Sequence, residues 1–192
     1  MSEVDLEAAV ERLSRLASPC ALDLGAGDGS LVRSLAARGI ACVAVDRVAP
    51  VAPCAGVRFV TEDVRDYDPG IDAFDLVVAR NVLQFLAREA RRRVFRRALR
   101  AVRPGGFLFV EVFTTDDASC AVAKRRGLEE IEHRTFANPA GGVLGFFEPE
   151  ELRGWALDDG ATILRYETRV IDDEHPPEGR HTHGIAFLAA TR

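Results

Sequence analysis

No apolar run in this chain of 192 residues reaches the ~20 needed to cross a bilayer. The start, Met1-Ser2-Glu3-Val4-Asp5, is acidic and lacks the character of a secretory signal. Cysteine is scarce. Cys20, Cys42, Cys54 and Cys120 form neither a C-x-x-C pair nor a zinc-ligand spacing, so no cysteine metal site is expected. Nothing in their spacing suggests a disulfide framework, which fits a reducing cytosol, and a cytoplasmic location is expected. Positive charge is short as well: 25 Lys and Arg against 30 Asp and Glu give a net charge of −5. A polyanion needs a field of Lys and Arg, so neither nucleic acid nor membrane is expected as a partner. Internal repeats, low-complexity tracts and interdomain linkers are all missing, and residues 1–192 read as one domain. The oligomeric state is left open.

What is present is an alternation of short apolar strands with amphipathic helices. Leu6, Val10, Leu13 and Leu16 have helical spacing, and Ser18-Pro19 ends that helix. Strands are expected at 20–24, 40–45, 57–60, 74–79 and 107–113, with a helix from Ser30 to about Arg38 closed by Gly39. Phe74 to Ala79 is nearly all apolar, as in a parallel strand covered on both faces. Arg88, Arg91, Arg92, Arg93, Arg96, Arg97, Arg100 and Arg103 read as the solvated face of a helix. Leu86, Ala90, Val94, Ala98 and Val102 form its core face. Arg103-Pro104-Gly105-Gly106 breaks the chain. Residues 114–147 read as a loop-rich insertion, with Phe136, Leu144, Phe146, Phe147 and Trp155 as lid or core. A short helix at 149–157 and two strands at 161–171 and 185–191 follow, and the last two suggest an antiparallel hairpin. The class is α/β: a doubly wound, Rossmann-like, mostly parallel sheet.

The chemistry centres on Leu22-Asp23-Leu24-Gly25-Ala26-Gly27-Asp28-Gly29-Ser30. Glycines in a strand-to-helix turn let a ligand approach the backbone, at the sheet end where open α/β folds bind ligands. A dinucleotide fingerprint would place its third glycine at Ser30. Asp23, before the first glycine, is awkward for pyrophosphate and suits a ligand with an amino group. Asp46 ends the second strand and could accept both hydroxyls of a ribose. Asp63, with the Val64 backbone, ends the third and could reach an adenine amino group.

LDLGAGDGS (22–30), AVDR (44–47), TEDV (61–64), DLVVARNVLQFL (75–86) and RPGGFLFVEVF (103–113), with the terminal hairpin, resemble the class I S-adenosylmethionine-dependent methyltransferases. The resemblance implies a seven-stranded sheet in the order 3-2-1-4-5-7-6 with strand 7 antiparallel. It also implies methyl transfer from S-adenosylmethionine (SAM) to a small-molecule acceptor. Asp23, Gly25 and Gly27 would take the methionine end. Asp46, with Arg47 beside it, would take the ribose, and Asp63 with Val64 the adenine. Arg80 and Asn81 would line the loop between SAM and acceptor. A SAM-binding regulatory protein stays open as an alternative. A nicotinamide-dependent oxidoreductase is disfavoured by Ser30 and by the acid before the first glycine.

Gly145 to Leu152, Trp155 and Glu174-His175…Arg180-His181 look most like the TehB tellurite-resistance branch, in which a His, an adjacent Arg and a later Arg face the acceptor. His175 and Arg180 fall on two of those positions, and Pro176 replaces the adjacent Arg. His175, Arg180, His181 and His183 are the candidate catalytic residues, on a loop opening the last strand. Imidazole there could accept a proton or bind an anion. His181-x-His183 alone offers a metal only two ligands, so none is expected. His133 is expected at the surface. Nothing like D/N-P-P-Y follows the fourth strand, which disfavours base amino groups as acceptors.

Overall fold

A computed structural model describes residues 3–48, 52–138, 141–175 and 179–192, and side chains within 6–174 and 181–192 of these. Helix α1 (Glu3–Leu13) leads into β1 (Cys20–Leu24), α2 (Ser30–Ala36), β2 (Ala41–Asp46), β3 (Val57–Thr61) and β4 (Phe74–Arg80). A 3-10 turn (Leu83–Phe85) precedes α3 (Arg88–Ala101) and β5 (Val102–Phe113). After α4 (Ala118–Arg125) come three short strands, β6 (Glu130–Glu132), β7 (Thr135–Ala137) and β8 (Val143–Gly145), then α5 (Glu151–Asp158), β9 (Thr162–His175) and β10 (Gly179–Thr191).

The main sheet has the order β3-β2-β1-β4-β5-β10-β9. Its first five strands are parallel, and β10 runs antiparallel to both β5 and β9. This is the expected topology, with β9 and β10 as the sixth and seventh strands. Both faces are covered, which is why the central strands are apolar on every side. Ala21, Leu76, Val78, Phe109 and Phe187 pack under α1 and α2 with Val10, Leu13, Val32 and Leu35. Leu22, Val77, Leu108, Val110 and Leu188 pack under α3 and α5 with Val94, Phe95, Leu99 and Leu152. No helix among the described residues is long and apolar enough to cross a membrane.

Four sequence expectations need correction. The break at Arg103–Gly106 is a bulge inside β5: Phe74 pairs with Val102, and Leu76 next pairs with Phe107. Gly105 takes φ 78 there, and a Cβ on Gly106 would lie 2.8 Å from the Asp75 carbonyl oxygen. Residues 114–147 are not loop-rich, since they hold α4 and a second sheet of order β6-β7-β8. Three-residue strands are too short to carry a periodic signal. His181 and His183 stand on β10 rather than on a loop, because the β9–β10 ladder continues past the end of β5. The fourth concerns Arg91.

Arg91 is 3% exposed, whereas Arg93, Arg96 and Arg100 are solvated as expected. Its Nε donates to the Leu86 carbonyl (2.6 Å) and its Nη2 to Thr135 Oγ1 (2.8 Å), and its guanidinium lies 5.3 Å from the Phe147 ring centroid. Burial lowers its pKa to about 10, opposed by Glu151 and Glu132. Arg91 thus ties α3 to the small sheet, and Gly145 makes room for it. A Cβ on Gly145 would lie 1.4 Å from Nη2. Gly145→Ala is expected to lower the unfolding free energy by about 2–3 kcal/mol, as for an overpacked core, and denaturant unfolding measures this.

Candidate active site

All three glycines of the 25–29 turn have left-handed φ: 74 at Gly25, 54 at Gly27 and 76 at Gly29. L-residues avoid that region, which explains the glycine at every second position. The turn hooks over β2, with the Gly25 and Ala26 amides donating to the Val45 carbonyl at 2.8 and 3.1 Å. A Cβ on Gly25 would lie 2.7 Å from Val82, so the β1 turn and the segment after β4 approach as only glycine allows.

Asp46 at the end of β2 anchors this cradle. Its Oδ2 accepts from the Gly27 amide (2.9 Å) and its Oδ1 from the Val48 amide (3.1 Å). Each carboxylate oxygen keeps a second lone pair for a ligand hydroxyl. Asp63 is held by Arg65: Oδ1 accepts from its amide and Nε, both at 2.9 Å, and Oδ2 from its Nη2 at 2.7 Å. The side-chain bonds from Arg65 hold the Asp63 carboxyl below its ordinary range. Asn81 takes a left-handed φ of 54, and its Oδ1 accepts from Gln84 Nε2 at 3.3 Å.

A cleft of about 390 Å³ collects these groups. Gly25, Gly27, Asp46, Arg47, Asp63, Val64 and Asn81, all expected from the sequence, line it. So do Arg65, Val82, Phe85, Leu86, Ala87, Gly142 and Val143, which the sequence reading missed. The usable signal was the mostly apolar Val82-Leu83-Gln84-Phe85-Leu86 close after β4, at the ligand end of the sheet. Phe85 is 46% exposed and lines the cleft. Phe136, Phe146 and Phe147 are core, at most 2% exposed.

Two expected residues, Asp23 and Arg80, are not among those lining the cleft. Asp23 is only 5% exposed. Burial pushes its pKa up to about 7, partly countered by Arg80 and reinforced by Asp46. A buried carboxyl beside a second carboxylate favours a cationic ligand, whose charge would return it to the ionised form. Arg80 is exposed at the end of β4. A cradle only glycine permits, a ribose-competent carboxylate and a buried acid awaiting a cation fit SAM, which carries an ammonium, a sulfonium, a ribose and no phosphate.

The hairpin histidines form a separate cluster. His183 Nδ1 lies 2.8 Å from Asp117 Oδ2, and His181 Nε2 lies 2.9 Å from His183 Nε2. The His183 ring stacks on Phe113, with centroids 5.0 Å apart. The side chains of His175 and Arg180 lie outside the described residues. His133 is exposed, as expected.

A family model described as a methyltransferase domain matches residues 3–166. An uncharacterized methyltransferase of Mycobacterium tuberculosis is 33% identical over 177 residues, covering 88% of this chain and 86% of its own length. The chain belongs to the methyltransferase family that this model describes. Among solved structures, the Burkholderia thailandensis 1,6-didemethyltoxoflavin-N1-methyltransferase, with 1,6-didemethyltoxoflavin and S-adenosylhomocysteine bound, shares the fold. Its TM-score is 0.68 at 24% identity, covering all of this chain and 79% of that one. TehB of Haemophilus influenzae has a TM-score of 0.67 at 15% identity, covering 97% of this chain and 62% of TehB.

Proposed function

We propose that this methyltransferase uses SAM and acts in the cytosol on a small ionisable molecule, held beside the SAM cleft where Gly142 and Val143 of the insertion line it, with the β9–β10 hairpin supplying further acceptor contacts. One observation carries the reading: Phe85, Gly142 and Val143 line the same cleft as Asp46 and Asp63. Apolar and insertion residues therefore border the cofactor acids directly, with room for a compact molecule. We read 1–192 as one functional unit in which the insertion at about 114–147 acts as a lid over the acceptor. The small-molecule ligand of the Burkholderia enzyme supports that acceptor class. The four cysteines are free thiols, which suits a reducing compartment.

SAM supplies an electrophilic methyl group on sulfur to a nucleophile in line with it. The protein's part is positioning. Asp46 and the glycine turn fix the ribose, Asp63 and Val64 the adenine, and Asp23, Gly25 and Gly27 the amino acid end. Asn81 and Arg80 border the path between the two substrates. Holding nucleophile and methyl in line supplies much of the rate. The finer placement near the TehB branch rests on Gly145 to Leu152, Trp155, His175 and Arg180. Pro176 replaces an Arg of that branch, so the acceptor is proposed to be ionisable without being fixed as tellurite.

The test is formation of S-adenosylhomocysteine across thiols, chalcogen oxyanions, phenols and carboxylates. With the acceptor in hand, alanine at His175, Arg180, His181 or His183 should leave SAM affinity within a few-fold. At least one should lower turnover about 10²-fold, the scale for losing a positioning contact at the reacting centre. Near-wild-type turnover in all four would move the acceptor site away from the hairpin, toward Asn81 or the insertion.

A further inference from the structure

The two hairpin histidines are joined by a residue that the sequence did not connect to them. Asp173 on β9 pairs directly with His181 on β10, and His183 lies two residues on, so all three are on one face of the ladder. One ligating atom from each of Asp173, His181 and His183 lies within 4.8 Å of the others. The separations are 2.9 Å between the two Nε2 atoms and 3.6 Å from His183 Nε2 to Asp173 Oδ2. Ligands bound tetrahedrally to zinc at about 2.0–2.1 Å stand about 3.3 Å apart, between those two values.

A second layer fixes the geometry. Asp117 is 2% exposed and caps α4, its Oδ1 accepting from the Ser119 amide at 2.8 Å. Its Oδ2 is thereby aimed at His183 Nδ1. A proton on Nδ1 donated to that carboxylate leaves the Nε2 lone pair pointing at the other two groups, the arrangement by which carboxylates orient metal-binding histidines. Phe113 stacked on the ring and the Asp116–Asp117 backbone packed against Gly184 hold the strand in register.

We propose that Asp173, His181 and His183 form a binding site for one divalent transition-metal ion of the zinc class, with Asp117 as the positioning residue. Two imidazoles and a carboxylate suit such an ion, and three protein ligands leave a fourth position open to water or to a ligand's anionic oxygen, sulfur or nitrogen. The sequence expectation of no metal counted only the His-x-His pair; the fold supplies the third ligand from the neighbouring strand. That the fourth position receives the methyl acceptor rests on the function proposed above. The metal site itself does not.

The experiment uses the untagged chain, stripped with a chelator and checked for SAM binding, and titrates it with Zn2+ by calorimetry and with Co2+ by visible absorption. Expected are one equivalent bound, tetrahedral Co2+ bands and no thiolate charge-transfer band. Asp173→Asn and His181→Gln, conservative enough to keep the fold, should weaken binding by at least about 10²-fold. Asp117→Asn should weaken it about 10–100-fold although Asp117 touches no metal. SAM affinity should be the same in all four proteins. Failure of the SAM-competent wild type to bind one equivalent would overturn the proposal, as would equal metal affinity in wild type and variants. Neither readout depends on turnover, so a wrong acceptor and a wrong metal site give different results.

Discussion

Asp46→Ala is expected to raise the dissociation constant for SAM by about 10²-fold or more. Charge-assisted hydrogen bonds contribute roughly 1.5–3 kcal/mol each, and the substitution removes an acceptor for two ribose hydroxyls. It also releases the Gly27 amide, which Asp46 Oδ2 holds at 2.9 Å, so the cradle loosens with the contact. Asp46→Asn keeps one acceptor oxygen without the charge and should fall between wild type and alanine. Calorimetric titration with SAM reads both. Equal affinity in wild type and Asp46→Ala would end the ribose assignment.

Asp23→Asn should move binding and stability in opposite directions. Burial pushes the Asp23 carboxyl up to about 7, against 3.8 as its ordinary value. The folded form therefore holds a proton that the unfolded chain releases. The cost of ionising Asp23 is absent below pH 4, grows between pH 4 and 7 and is complete above 7. At about 1.4 kcal/mol per unit, the destabilisation above pH 7 is on the order of 4 kcal/mol. The asparagine variant escapes it, so its melting temperature without ligand should exceed wild type at pH 8 and match it near pH 4. Its SAM affinity should drop about 10- to 100-fold, because the ligand's ammonium loses its counter-charge. Thermal melts at the two pH values, with and without SAM, separate the effects. A variant less stable than wild type at pH 8, yet normal in SAM binding, would make Asp23 a structural residue.

The half of the molecule that holds the candidate cofactor cleft was largely legible. Its strands β1, β2 and β4 are largely buried, its turn glycines recur at every second position, and Asp23, Asp46 and Asp63 each lie at or within two residues of a strand end. The other half was obscured for identifiable reasons. β6, β7 and β8 have three residues each, and their apolar groups read equally well as loop. Asp172-Asp173-Glu174-His175 is polar at every position because β9 is an edge strand, so alternation fails there. Arg91 looked like its seven neighbouring arginines, and partners such as Thr135, 44 residues away, are what bury it. Asp117 and His183 are 66 residues apart, a pairing that no local pattern reveals.

The strand order also constrains how the molecule can be made. β9 precedes β10 in the chain, yet among the described residues it neighbours β10 alone in the sheet, and β10 inserts between it and β5. While the chain leaves the ribosome, β1 to β5 can already pair with one another, and domains generally begin folding from the N-terminal side during synthesis. β9 emerges before β10, the strand it pairs with in the finished sheet. The edge of β5 likewise stays open, with Phe109 and Val110 waiting for Ala189 and Leu188. Until β10 arrives, both are unpaired edges, the kind of surface through which nascent chains associate. The segment from 179 to 191 therefore acts as the closing piece of assembly, and slowing its arrival should lower soluble yield more than slowing any earlier strand.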